Sequence, residues 1–234
     1  MNQSSAGNAL FYILMAIALL AALSFAIAQS GRNSVQSLTD EQASLYATEV
    51  IEYANILTQA VTQIRLRGYD EDEISFENSS VSGYVNPNCN EDGCKIFHLS
   101  GGGVHWGSPS LGVNDGSDWL FTGQTCIEDV GTGDTGSCNS VGTQVDELIM
   151  FLPNVDVSVC AALNDKLGID NVAGLPPQES QNAYDVASNQ WIGSFQNNYA
   201  IGGVFKGLRA GCFEGGGTVP APGTYHYYNV LIAR

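Results

Sequence analysis

Positive charge is scarce in this sequence. Eight Lys and Arg stand against 24 Asp and Glu, a net charge of −16. Phosphate backbones are bound by basic faces, so nucleic acid is excluded as a partner. Anionic lipid headgroups find nothing to attract here either. Charge of either sign is sparse, at 14% of residues, and residues 1–31 carry no Asp, Glu, Lys, Arg or His. Zinc spacing is also missing. No two cysteines stand as C-x-x-C, and none of the three His lies at finger spacing. Against these absences, a 44% hydrophobic content excludes wholesale disorder.

The charge that is present is one-sided. Residues 33–234 hold seven bases and all 24 acids, leaving −17. The chain is thus an uncharged head followed by an acidic, Gly-rich body. Its expected divisions are 1–31, 32–68 and 69–234.

Residues 9–28 read ALFYILMAIALLAALSFAIA, with polar side-chain groups only at Tyr12 and Ser24. As a helix these 20 residues span about 30 Å, the thickness of a bilayer's hydrocarbon core. The stretch is apolar on every side, so it must leave water for lipid or for the interior of an assembly. Three readings stand open. One is a signal peptide cut after Ala26-Ile27-Ala28, although no Lys or Arg precedes the apolar run. Another is a permanent single-span anchor. The third is an anchor that becomes the buried core helix of a filament.

A polar break, Gln29–Ser34, separates this stretch from a second helical pattern ending near Arg67. Thr39-x-x-Gln42 has the form of a capping box, and Gly68 supplies the stop. Ala43, Ala47, Val50, Ala54, Leu57, Val61 and Ile64 are spaced 4, 3, 4, 3, 4, 3, a heptad-type seam. Tyr46, Tyr53 and Ala60 widen it. Small Ala residues on that face suit close packing on the helix's own domain.

From Tyr69 onward the pattern becomes β-rich. Expected strands are Lys95–Leu99, Trp119–Thr122, Glu147–Leu152, Ala200–Phe205 and Tyr225–Ala233, divided by Gly/Asn/Asp/Ser turns. A short helix is expected over Val157–Leu167, capped by Asp156 or Ser158. Leu175-Pro176-Pro177 reads as a stiff connector.

Six cysteines follow the apolar head: Cys89, Cys94, Cys126, Cys138, Cys160 and Cys212. An even count in this setting points to disulfides in an oxidising compartment. Six cysteines allow 15 pairings. Proximity suggests Cys89–Cys94 and Cys126–Cys138, leaving Cys160–Cys212.

Catalytic signals are weak. Gly131 to Gly136 match G-x-G-x-x-G by letters, but no strand precedes them and no helix follows. Ser100 lies near His98 and His105 in sequence without forming a G-x-S-x-G elbow. Weak Ca²⁺ binding is the one cofactor reading, through Asp70–Glu73, through Asp115 and Asp118, or through Asp129 and Asp134; no EF-hand spacing occurs. Trp106, Trp119 and Trp191 read as core aromatics, with a sugar-stacking surface as the alternative.

An apolar N-terminal helix, an amphipathic helix and a disulfide-bonded β-rich head together resemble the type IV pilins and pseudopilins. The likeness covers Gly7–Arg67 and the late cysteine pair. Gly7-Asn8 stands where that family's leader is cut, and Tyr12 stands where the family has a Glu. The resemblance implies an α+β fold, a long hydrophobic-then-amphipathic helix packed on a disulfide-stapled antiparallel head. It further implies homopolymerisation through residues 9–28, with Leu10, Phe11, Tyr12, Leu14, Ala18, Leu19, Ala22 and Phe25 in the assembly helix. The expected partners are sister copies, the inner membrane before assembly, and a pilus or secretion assembly machinery. The expected location is the inner membrane and then the cell surface. The expected role is structural rather than enzymatic. A membrane-anchored or secreted binding module and an exported enzyme released at Ala28 stand beside it.

Overall fold

The computed structural model describes the backbone of residues 6–131, 138, 146–185, 190–196 and 198–234, and their side chains except those of 6–10, 18 and 21–39. The chain divides into two compact units, Met1–Gln42 and Ala43–Arg234. Helix α1 (Ala6–Leu66) contributes residues to both.

Within the second unit the heptad-type seam is the buried face of α1. Ala43, Ala47, Val50, Ala54, Leu57, Val61 and Ile64 are all 5% exposed or less, and Ala60 joins them. The opposite face carries Glu49, Glu52, Gln59 and Gln63, so this part of the helix is one-sided as the spacing predicts. Small residues permit close approach. A Cβ added to Gly102 would lie 3.1 Å from the Ala60 Cβ and 2.5 Å from the Ile96 carbonyl oxygen. The helix stops where expected, with Gly68 at φ +102°.

The seam rests on a six-stranded sheet. Its strands are β1 (Leu120–Ile127), β2 (Glu147–Leu152), β3 (Gln178–Glu179), β4 (Tyr199–Ile201), β5 (Ala210–Gly215) and β6 (Tyr225–Ile232). Their order is β3-β5-β6-β2-β1-β4. The four inner strands pair antiparallel. The two short edge strands, β3 and β4, pair parallel to β5 and β1. The edges then approach each other. Ala200 N–H donates to the Asn182 carbonyl at 3.0 Å, and Gly202 N–H donates to the buried Glu179 Oε2 at 2.8 Å. The sheet is nearly closed, which shields the unpaired groups an open edge would expose.

Both faces of the sheet are covered. All six residues of β2 are buried. Leu148, Met150 and Leu152 face the α1 seam with Phe121 and Tyr227. Ile149 and Phe151 face a second cluster with Tyr184, Phe205, Phe213 and Tyr228. Helix α2 (Val157–Leu167) begins at Asp156, whose side chain accepts from Ser158 N–H, and ends at Gly168 in the left-handed region. It is tied to β5 by the Cys160–Cys212 disulfide and by Asn164. The fully buried Asn164 amide donates to the Cys212 carbonyl at 2.8 Å and accepts from its N–H at 2.9 Å.

Several expectations need correction. The fold class, a long hydrophobic-then-amphipathic helix packed on an antiparallel head, fails in both components. Among the described residues no helix is long and apolar enough to cross a membrane. The helical stretch with continuous side-chain description, residues 40–66, carries Asp40, Glu41, Glu49, Glu52 and Arg65. The sheet is mixed because distant segments, β3 and β4, add to its two edges in the parallel sense. Lys95–Leu99 forms only a single bridge, Ser75 with Lys95, before Gly101–Gly103 turn the chain back onto it. Ala200–Phe205 splits into the end of β4 and a 3₁₀ turn at Gly203–Phe205. Strand β5 escapes sequence reading because two glycines interrupt it. Both sit at close approaches: a Cβ on Gly211 would meet the Phe205 ring at 2.8 Å, and one on Gly215 the Ala221 oxygen at 2.5 Å. The Gln29–Ser34 break and the Thr39 capping box do not mark helix boundaries, because α1 is helical from Ala6 to Leu66; their side chains lie outside the described residues.

Candidate functional site

The first unit presents one distinctive surface. Phe11, Tyr12, Ile13, Leu14, Met15, Ile17, Leu19 and Leu20 are 54–65% exposed. They fill eight of ten successive helical positions, so at 3.6 residues per turn they occupy every side. Fully burying a large apolar side chain is worth roughly 1.5–3 kcal/mol. Eight together amount to a driving force on the order of 10 kcal/mol for covering this stretch. The other expected assembly and processing residues, Gly7, Asn8, Leu10, Ala18, Ala22 and Phe25, have side chains outside the described residues.

In the second unit a cleft of about 870 Å³ lies between the end of α1, the Gly68–Asp72 turn, Phe195 and Arg234. Its charged groups engage one another. Glu71 receives Arg65 Nη2 at 2.7 Å and Arg234 Nε at 3.1 Å. The Arg234 guanidinium stacks 3.9 Å above the Phe195 ring. Asp70 N–H donates to Glu73 Oε2 at 2.8 Å. Within the acidic run offered as a Ca²⁺ ligand, Glu71 and Glu73 are thus committed to internal partners. Asp115 is likewise engaged. Its Oδ1 accepts from Ser117 N–H at 3.0 Å, and its Oδ2 accepts from the Asn154 amide at 2.9 Å. These bonds outweigh partial burial and hold its carboxyl below the usual range. Asp118 Oδ1 lies 3.5 Å from Ser108 Oγ, and Asp129 pairs with Lys206 at 3.2 Å. Asp134 lies outside the described residues. Among the described residues no three His, Cys, Asp or Glu converge as a metal site.

The nucleophile reading at Ser100 is not assembled. His98 Nδ1 accepts from the Ser100 backbone N–H at 3.2 Å, and its Nε2 faces Asp92 at 3.5 Å. Arg67 donates to the Ser100 and Gly101 carbonyls, 2.8 Å each. The G-x-G-x-x-G letters lie, after Gly131, outside the described residues. Trp119 and Trp191 are 3% and 1% exposed and donate to the Gly107 and Ile74 carbonyls. Trp106 packs edge-on against Phe97 and Phe121. Neither buried ring offers a face to a sugar.

One buried cluster was not legible beforehand. Tyr184 Oη lies 2.6 Å from His226 Nδ1, and His226 Nε2 lies 2.7 Å from Thr224 Oγ1. Thr224 Oγ1 donates to the Ala221 carbonyl at 2.6 Å, and Asn154 N–H approaches Nδ1 at 3.4 Å. With the Thr224 proton committed to a carbonyl, Nε2 must donate and Nδ1 must accept. The imidazole is neutral, and burial holds its pKa down at about 4. Tyr184 O–H thus donates to Nδ1, both ring nitrogens are paired inside the chain and His226 is 3% exposed, so the arrangement is that of a satisfied buried network. Tyr184 and His226 lie 42 residues apart, a pairing with no local sequence signal.

All three disulfides follow the proximity pairing: Cys89–Cys94, Cys126–Cys138 and Cys160–Cys212. They suit an oxidising environment. In comparisons with protein-family models, curated proteins and solved structures, the chain matches none. The likeness to type IV pilins therefore rests on the sequence features alone, and no comparison supports a filament.

Proposed function

We propose that this chain is a non-enzymatic structural subunit of a pilus-like surface filament, exported through an inner membrane and polymerised with copies of itself. The reading rests on one observation above all: eight large apolar side chains exposed around a single helical stretch. A helix apolar on one stripe is covered by one partner, but a helix apolar on all sides needs several. Copies of the same segment supply them by a repeated contact that does not close on itself. Ala16, set between these large side chains, leaves room for close helix approach. The acidic, disulfide-stapled second unit then forms a soluble coat, consistent with export.

Leu14→Asp tests this directly. A carboxylate placed in apolar surroundings costs roughly 2.5–3.5 kcal/mol at a helix centre. The variant should yield no filaments in electron micrographs of sheared cell-surface material. The thermal unfolding of the second unit should be unchanged. Wild-type amounts of filament from Leu14→Asp, or native mature chains whose intact mass begins at Gln29, would overturn the reading.

A further inference from the structure

Resting on that reading, we infer that polymerisation is controlled by external cations: inorganic counterions, divalent more effectively than monovalent, are required to bring the acidic second units together. The charge count is the starting point. Residues 33–234 carry seven bases against 24 acids. Contact between copies could still be built from ion pairs if those bases faced outward. They are largely engaged at home. Arg65 and Arg234 both serve Glu71. Lys95 serves Glu77 and Asp92, and Lys206 serves Asp129. Arg67 is held by two backbone carbonyls. Among the described residues two basic side chains, Lys166 and Arg209, stand outside these contacts. Lys166 sits in the last turn of α2, where the helix dipole favours it.

A copy therefore meets its neighbour with almost no cationic side chains to offer and a surplus of carboxylates. Range decides the consequence. At about 10 mM salt the Debye length is about 30 Å, comparable with the size of the unit itself, so whole units repel. At about 150 mM it is about 8 Å, and repulsion is confined to the contact surface. Apolar association of the N-terminal stretches depends little on salt over this range. Salt should thus strengthen the assembly, the reverse of a polymer held by intersubunit salt bridges.

The experiment uses the full chain, dispersed in detergent and then diluted. The polymer is pelleted at about 10 mM NaCl, at about 150 mM NaCl, and at about 10 mM NaCl with about 5 mM MgCl₂. The pelleted fraction should rise several-fold in the second and third conditions. Glu52→Gln/Asp170→Asn, which removes two exposed charges, should polymerise at lower salt than the parent. A polymer that forms equally well at every salt, or loosens as salt is added, overturns this inference and leaves the filament reading standing. No polymer in any condition from chains that retain the apolar stretch overturns the filament reading itself, and the inference with it.

Discussion

The exposed residues 11–20 and the interior of the second unit are governed by opposite accounting. In the second unit a buried group nearly always meets a partner inside the chain. Asn164 bonds both backbone groups of Cys212, Glu179 closes the sheet edge at Gly202, and His226 uses both ring nitrogens. In residues 11–20 eight large apolar side chains meet no such interior. One region is complete as it stands, and the other is half of an interaction. That difference is why the proposed function is placed at the apolar stretch rather than in the cleft of the acidic unit, where Glu71 already engages Arg65 and Arg234.

The comparison can be broken most forcefully through the disulfide joining α2 to β5. Cys160 and Cys212 are 52 residues apart. In the chain-entropy model, closing a loop of that length is worth about 4 kcal/mol. Cys160→Ala/Cys212→Ala should lose about that much in denaturant unfolding of the second unit. A loss below about 1 kcal/mol would show that packing alone holds α2 in place.

Acidification probes the buried network next. His226 is depressed from 6.5 to about 4 by burial, so the folded unit prefers its neutral form. The associated stability is fully present above pH 6.5 and is lost as pH falls toward 4, about 3 kcal/mol in all. Asp146 acts in the opposite sense. It is fully buried, and among the described residues neither carboxyl oxygen has a hydrogen-bond partner. Burial, opposed by the nearby Arg234 charge, raises it to about 6. Its contribution is present below about pH 3.8 and is lost as pH rises through 6. Asp146→Asn should therefore be more stable than the parent at pH 7. It should also lose stability more steeply between pH 6.5 and 4, because the opposing contribution of Asp146 is gone. Thermal melts across that range decide. A flat profile in Asp146→Asn would remove His226 from the account.

A smaller effect is expected at Asn164. Asn164→Ala removes two buried hydrogen bonds and leaves the Cys212 backbone unsatisfied, a cost of about 2 kcal/mol in urea unfolding. The same assay on Leu14→Ala should move by no more than about 0.5 kcal/mol, the usual range for an exposed side chain. A larger shift there would erase the contrast between the regions.

Much of the fold was legible where periodicity is strong. The α1 seam, β2, β6 and α2 follow from spacing, apolar runs and caps. The disulfide pairing followed from proximity. Edge strand β3 was not legible, and β4 was caught only in part, by the strand expected at Ala200–Phe205. Two-residue β3 and three-residue β4 are too short to carry a clear pattern and are fixed by distant partners. Strand β5 reads as a turn because Gly211 and Gly215 answer to close contacts that only the folded chain creates. The Arg65–Glu71–Arg234 cluster and the Tyr184–His226–Thr224 network join residues far apart in sequence, so neither leaves a local motif. The candidate site was legible as composition, an uncharged run of 20 residues, while what covers it depends on molecules outside the chain.

The most direct measurement is photocrosslinking in the cell surface layer, with a photoreactive side chain placed at Leu14 of the full chain. Covering by sister copies predicts a ladder of products at multiples of the 24.8 kDa subunit. Lipid adducts alone, with the subunit remaining a monomer, would contradict it.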